Sequence, residues 1–273
     1  MHPMYMLIRL YSALCSHFGP QHWWPVTKEG DLEPKYHKKI KLNSRQKLEI
    51  CFGAILTQNT SWKNVEKAII QLNKNNLVNT EKILKISRKR LAKIIRSSGY
   101  HNQKAKKLKN FSYFLLKNYN GNIESFFKND IEKLRKELLG INGIGSETAD
   151  SIILYAAKKP IFVIDAYTKR FYSRFFDEKK DLKYDELQEI FEKSLKKDEK
   201  LFNEYHALIV ELGKNYCKAK PLCEKCPIRK KCSYFRGSVP NLAKARVSSF
   251  RPTGYAQLTG NMGHEAPCRS FLF

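Results

Sequence analysis

Nowhere in the 273 residues is there an apolar run approaching the about 20 residues that a membrane-spanning helix needs. The opening stretch Met4-Tyr5-Met6-Leu7-Ile8 is mildly apolar, but Arg9 interrupts it and no signal-peptide layout surrounds it. A cytoplasmic protein with no membrane partner is the expectation. Strand patterns are nearly missing as well. Ile161-Phe162-Val163-Ile164 is the one strong candidate, and four residues serve equally as an extended segment entering a helix. Negative charge is scarce: 26 Asp and Glu stand against 51 Lys and Arg, a formal net charge of +25. Such an excess repels itself in a compact state, and a polyanion relieves it. Nucleic acid is the default partner, because each neutralised phosphate releases counterions; generic basicity is the competing account. Hydrophobic residues at 42% and aromatics at 12% exclude wholesale disorder.

What is present is helical. Val65, Ala68, Ile69 and Leu72 recur at helix spacing, as do Leu91, Ile94 and Ile95, then Leu108, Phe111, Leu115 and Leu116, then Leu187, Ile190, Phe191 and Leu195. Polar breaks at 73–76, 97–99 and 118–122 separate them. A further apolar helix is expected from His206 to Leu212, ending near Gly213. The fold class is all-α. Composition changes beyond Phe235, where the only Lys is Lys244 and the only acid is Glu265, so 236–273 is read as a disordered or loosely attached tail. Residues 1–235 keep 46 Lys and Arg against 25 Asp and Glu, a net +21, so the basic character belongs to the body.

Cys217, Cys223, Cys226 and Cys232 form C-x5-C-x2-C-x5-C. Without an export signal, cysteines argue for metal or free thiols rather than disulfides. Four thiolates in one short loop would repel and oxidise without a metal centre, which leaves a zinc site or an iron–sulfur cluster. Cys223 and Cys226 make one C-x2-C knuckle; the wider outer spacing suits a larger cluster. Lys218, Lys220, Lys225, Arg229, Lys230 and Lys231 lie among them and either offset thiolate charge or dock on phosphates. Cys51, in an apolar helix, reads as a core residue.

The stretch Leu139-Gly140-Ile141-Asn142-Gly143-Ile144-Gly145-Ser146-Glu147-Thr148-Ala149-Asp150 places Gly143 and Gly145 around one apolar residue between two helical segments. Glycines permit a tight turn, and N–H groups at the start of the next helix favour a phosphate. This is a helix-hairpin-helix signature, with an ordinary interhelical turn as the alternative. Downstream, Pro160 and the apolar run lead to Asp165, followed by Ala166-Tyr167-Thr168-Lys169-Arg170. An aspartate there is either a helix N-cap or a carboxylate that stabilises an oxocarbenium-like sugar and handles a water proton.

Taken in order, the hairpin, Pro160, Asp165 and the four cysteines resemble the helix-hairpin-helix/Gly-Pro-Asp superfamily of DNA glycosylases, over roughly residues 45–235. The resemblance to its endonuclease III-like iron–sulfur members implies a base-excision-repair enzyme that hydrolyses the N-glycosidic bond of damaged double-stranded DNA, with Asp165 catalytic. It implies a [4Fe–4S] cluster on Cys217, Cys223, Cys226 and Cys232, although endonuclease III has six residues in the first gap where this chain has five. It implies a two-lobed fold: a barrel-like helical domain at 44–160 ending in the hairpin, and a second lobe from 1–43 plus 161–235 carrying the cluster loop. Gly143, Gly145, Ser146 and Thr148 would grip DNA, beside Gln58 and Asn59 of the segment Phe52-Gly53-Ala54-Ile55-Leu56-Thr57-Gln58-Asn59-Thr60-Ser61-Trp62; Gln58 would fill the gap left by a flipped base. A nucleoid-associated monomer is the family's habit.

Endonuclease III carries a lysine two residues after the second hairpin glycine, and here that position is Glu147. A carboxylate cannot form a Schiff base, so the chain looks monofunctional. Trp23-Trp24-Pro25, Gln58-Asn59-Thr60 and the 98–106 and 145–150 stretches resemble the 3-methyladenine DNA glycosylase III branch, which removes alkylated purines. Such bases are cationic, and aromatic faces attract them; Trp23, Trp24, Phe52 and Glu147 are the expected pocket. The basic segment 101–107 is expected to add to the DNA-facing surface. The competing readings are a bifunctional oxidised-pyrimidine glycosylase with strand-cleaving activity, and a non-catalytic redox-sensing DNA-binding protein.

Overall fold

The structure is a computed structural model that describes residues 3–238. Every regular element among the described residues is helical, with one isolated antiparallel bridge between Val26 and Lys35. The Ile161–Ile164 run forms no strand and is almost fully buried. The chain forms two compact units. The smaller holds the residues up to Pro20, Asp165–Leu195 and those from Ala207 onward; the larger holds Gln21–Ile164 and Lys196–His206. Residues 239–273, most of the expected tail, lie outside the described residues.

The smaller unit opens with α1 (Pro3–Phe18). The larger unit contains α2 (Ser44–Leu56), α3 (Trp62–Lys74), α4 (Thr80–Lys85), α5 (Arg88–Ile94), α6 (His101–Tyr119), α7 (Ile123–Phe127), α8 (Ile131–Leu139) and α9 (Ser146–Ser151), which continues as a π-turn over Ile152–Ala156. Helix α10 (Ala166–Phe176) and α11 (Tyr184–Ser194) return to the smaller unit. Helix α12 (Glu199–Asn215) belongs to the larger unit up to His206, and α13 (Ser233–Ser238) follows the cysteine loop.

Short polar side chains start these helices. Asn43 accepts the Gln46 N–H at 2.9 Å while the Gln46 side chain accepts the Asn43 N–H at 3.1 Å, a reciprocal capping box for α2. Asn79, Ser87, Asn122 and Asp130 cap α4, α5, α7 and α8 in the same sense, each worth about 1 kcal/mol. Helix α2 is enclosed nearly all round, with Cys51, Phe52, Ile55 and Leu56 fully buried; it packs against α3, α6, α7 and the π-turn.

Two expectations change. Residues 21–43, grouped from sequence with α1, fold onto the larger unit: the Thr27 N–H donates to Glu49 Oε1 at 2.8 Å, Gln46 Nε2 to the Thr27 carbonyl at 3.1 Å, and Asn73 Nδ2 to Thr27 Oγ1 and the Leu32 carbonyl, both at 2.9 Å. Burial raises the Glu49 carboxyl above its ordinary range, and Thr27, Arg45 and Asn73 oppose that shift. Helix α12 also begins at Glu199, seven residues before His206, and ends at Asn215, two residues past Gly213. A Cβ at Gly213 would lie 2.3 Å from Tyr167 Cδ1, so this glycine, close to the helix end, also admits an aromatic ring against the helix.

The helices flanking the glycine turn are clamped by an ion pair. Arg135 Nε on α8 donates to Asp150 Oδ1 on α9 at 2.8 Å, and the Asp150 side chain is 0% exposed. Among the described residues no helix is long and apolar enough to cross a membrane. Removing the guanidinium strands a buried charge, so Arg135→Met is expected to lower unfolding free energy by about 3 kcal/mol, read from chemical denaturation, and adding Asp150→Asn is expected to recover part of it.

Candidate functional site

The turn between α8 and α9 is anchored by two apolar residues. Ile141 and Ile144 are each 5% exposed, while Asn142 and Gly145 face solvent. Gly143 takes φ +99°, the region that favours glycine, and a Cβ there would meet Lys107 Cγ at 2.5 Å. The Asn142 carbonyl accepts Asn110 Nδ2 at 3.0 Å. In a trans peptide the N–H points opposite the C=O, so the Gly143 N–H faces away from α6. Gly145 is the N-cap of α9, whose first-turn N–H groups have no acceptor one turn earlier within the helix.

Gln58, just past α2, reaches this turn. Its Nε2 donates to the Gly143 carbonyl at 3.1 Å and to Thr148 Oγ1 at 2.9 Å, and its Oε1 accepts from Lys107 Nζ. Asn59 beside it is exposed at φ +52°. Thr148 is 6% exposed with its hydroxyl turned inward to Gln58, so it supports the turn instead of contributing a surface hydroxyl. Ser146 is half-buried and Glu147 exposed on the first turn of α9.

The 101–107 segment is less of a surface than its composition suggested. Lys104 is 2% exposed and donates to the Leu56 carbonyl at 2.8 Å and the Ser98 carbonyl at 2.6 Å. Burial, with Lys107 nearby, pulls its ammonium down to about 8. Lys109, two residues on, donates to the Ile83 and Leu84 carbonyls, both at 2.8 Å. Helix-end carbonyls are unsatisfied acceptors, and these lysines fill that need.

An aromatic cluster forms in the same unit. The Trp23 ring lies 6.0 Å edge-on from Trp24 and 5.9 Å from both Tyr155 and His206; Trp24 lies 5.0 Å from Tyr155 and 5.4 Å edge-on from Trp62. Both Trp23 and Trp24 are half-buried. Asn203 Nδ2 holds the Trp23 carbonyl at 3.0 Å, and Glu204 Oε1 holds the Gln21 N–H at 2.7 Å. Tyr155 Oη meets His206 Nδ1 at 2.5 Å beneath the rings. Phe52 is not part of this cluster. It is fully buried and edge-on to Phe111 at 6.4 Å, a core residue with no face for a ligand.

Asp165 is the N-cap of α10: its Oδ1 accepts the Thr168 N–H at 2.7 Å and the Thr168 hydroxyl at 2.9 Å. The capping reading is thus correct, and it fixes the carboxylate at a helix start, where the dipole favours negative charge. The next turns of α10 serve the cysteine loop. Arg170 Nε donates to the Cys217 carbonyl at 2.7 Å; Arg174 donates to the Lys218 carbonyl at 2.6 Å, the Ala219 carbonyl at 3.0 Å and Cys217 Sγ at 3.5 Å. Cys217, Cys223, Cys226 and Cys232, all half-buried, line one cavity with Phe171, Phe175 and Leu212. Burial and the neighbouring thiols raise Cys223 and Cys232, and push Cys226 up to about 11. Among the described residues no three His, Cys, Asp or Glu side chains converge as a single-ion site.

Sequence reasoning missed Trp62, Tyr155, His206, Arg170 and Arg174, and placed Lys107 only within the basic 101–107 segment. Trp62 stood inside the quoted 52–62 segment and Arg170 five residues after Asp165, but neither has a motif signal. Their roles come from long-range packing.

Residues 52–197 match the model of the HhH-GPD superfamily base excision DNA repair proteins. A Methanocaldococcus jannaschii protein, provisionally named a DNA repair glycosylase, is 47% identical over 229 residues, covering 83% of this chain and 96% of that one. Endonuclease III of Sulfolobus acidocaldarius is 33% identical over 191 residues, covering 69% and 82%. The crystal structure of H. pylori 3-methyladenine DNA glycosylase bound to 1,N6-ethenoadenine superposes with a TM-score of 0.60 at 29% identity, covering 78% of this chain and 98% of that one.

The lowered Lys104 ammonium has a consequence for stability. Between about 8 and its ordinary value the unfolded chain binds the proton more than the folded chain does, so folding is favoured as pH rises through that window. The stability of the wild type relative to Lys104→Met is expected to increase from pH 8 to pH 10 in thermal unfolding; a flat difference refutes the assignment.

Proposed function

Because the chain belongs to the HhH-GPD superfamily of base excision DNA repair proteins and is a DNA glycosylase, we propose that it acts as a monomer on damaged duplex DNA, removing alkylated purines by hydrolysis and leaving the strand uncut. The observation that carries this reading is Glu147, an exposed carboxylate in the first turn of α9, at the position where the endonuclease III pattern has an amine. Without an amine there, the sugar is attacked by water. Lys158 pairs with Glu199 at 3.1 Å.

The chemistry assigned to Asp165 is electrostatic and basic. As the glycosidic bond lengthens, positive charge builds on the sugar, and the carboxylate stabilises it. Water adds to the anomeric carbon, its proton passes to Asp165, and the bond electrons leave with the base. An N3- or N7-alkylated purine is already cationic and departs neutral, so no separate acid is required. The half-buried Trp23 and Trp24 are assigned as faces for that flat cation, with Trp62, Tyr155 and His206 packed around them. The ethenoadenine-bound relative supports a modified-purine substrate. The hairpin's Gly143 and Gly145 N–H groups, with Ser146, are assigned to a phosphate, and Gln58 with Asn59 to the space left by the extruded base.

The cysteine cavity fits an iron–sulfur cluster. Burial and neighbouring thiols raise Cys223, Cys226 and Cys232, a shift that cationic metal would offset, and a polynuclear centre binds each sulfur to a different metal atom, so the four need not meet at a point. Cys217, Cys223, Cys226 and Cys232 would hold a [4Fe–4S] cluster, which would tie the loop together and neutralise its thiolates. Arg174 would donate to one ligand sulfur.

Asp165→Asn keeps an oxygen that caps α10 and loses the carboxylate. It is expected to leave thermal stability nearly unchanged while lowering base release by about 100-fold or more, assayed on duplexes carrying N3-methyladenine, thymine glycol or uracil. Borohydride trapping on abasic DNA is expected to yield no adduct; a covalent adduct, or release of thymine glycol in preference to the methylated purine, refutes the reading. Purified protein is expected to be brown with about four irons per chain, and colourless zinc-loaded protein refutes the cluster.

A further inference from the structure

Lys107 belongs to no motif in the sequence, yet it touches both parts of the machinery in the larger unit. Its Nζ donates to Gln58 Oε1, and its methylenes fill the space beneath Gly143 where a Cβ would have to sit, with Cγ at 2.5 Å, Cδ at 3.0 Å and Cε at 3.0 Å from that position. A lysine ammonium has donors and no acceptor, so the Gln58 oxygen must face it. The Gly143 carbonyl is an acceptor with no donor, so the Gln58 NH2 must face the turn, as it does at 3.1 Å, with Thr148 Oγ1 a second acceptor at 2.9 Å. The amide orientation is therefore fixed from both ends. The Lys107 ammonium meets an amide oxygen rather than a carboxylate, so its charge is not cancelled there. One turn along α6, Asn110 holds the adjacent Asn142 carbonyl.

We propose that Lys107 is a positioning residue that locks Gln58 onto the hairpin turn, so that gripping the backbone and probing for a gap in the base stack are done by one rigid unit. This rests on the reading of Gln58 as the residue that enters that gap. A glutamine free on three torsions loses rotamer entropy when ordered; one already held beside the turn loses little, so the gain appears as selectivity for gapped duplex over intact duplex. A change in the hairpin's own grip weakens both duplexes alike and cancels in their ratio.

The test is binding of the full chain to an intact duplex and to one with a tetrahydrofuran abasic analogue, which needs no excision chemistry. Lys107→Met keeps the packing under Gly143 and removes the ammonium. It is expected to lower the gapped-over-intact affinity ratio by about tenfold with the thermal midpoint nearly unchanged, while loss of the charge weakens binding to both duplexes alike. Gln58→Ala is expected to lose as much, and the double variant no more than either alone. Lys107→Arg, which restores a donor cation, is expected to recover most of the ratio, and Lys107→Leu, which also lacks a donor, serves if Lys107→Met does not fold. An unchanged ratio in Lys107→Met, an additive double variant, or a wild type with no preference for the gap overturns the proposal. Base release by the wild type is scored in parallel: its absence with gap selectivity intact sinks the glycosylase substrate reading and leaves Lys107 standing.

Discussion

The peptide around Gly143 turns with φ +99°, and the room a side chain would need is taken by the methylenes of Lys107. Much of the larger unit is arranged around that turn. Helix α6 supplies Lys107 and Asn110 from behind, the end of α2 supplies Gln58 from the side, and the Arg135–Asp150 pair clamps the two flanking helices. Each partner takes a carbonyl or closes a buried charge. Carbonyls drawn inward leave N–H groups directed outward, and that polarity is what a phosphate-gripping turn requires.

The smaller unit solves a different problem with one helix. The start of α10 is capped by Asp165, which ties the carboxylate's orientation to the fold. Its later turns carry Arg170 and Arg174, which hold the carbonyls of Cys217, Lys218 and Ala219. Tyr167 between them lies against Gly213 of α12, with the Arg170 guanidinium 5.1 Å over its ring. Asp165 and the two arginines that hold the cysteine loop thus stand on one helix.

Some features were legible because they are local. The stripes Val65, Ala68, Ile69, Leu72 and Leu108, Phe111, Leu115 are buried faces of α3 and α6, since a half-buried helix writes its period into the sequence. Others were illegible for the same reason inverted. Helix α2 is enclosed nearly all round and shows no stripe, so Phe52 looked available as a pocket wall when it is core. The lysines of 101–109 looked like a solvated face, because composition records charge and not the helix-end carbonyls that consume it. That Gly213 also admits the Tyr167 ring was not legible, because close approach of a ring is a property of two distant segments.

The sequence by itself determined the helical class, the order of hairpin, aspartate and cysteines, the superfamily, and the absence of an amine at position 147, since all of these are matters of residue type and spacing. Tertiary structure alone decided that Gln58 is bound to the hairpin through Lys107 and Thr148, that residues 21–43 fold onto α2 and α3, and that Trp62, Tyr155 and His206 surround the two tryptophans. Those facts depend on which side chains meet across tens of residues of chain. No local pattern records such a meeting, because its energy arises from packing and hydrogen bonding between segments that each look ordinary alone.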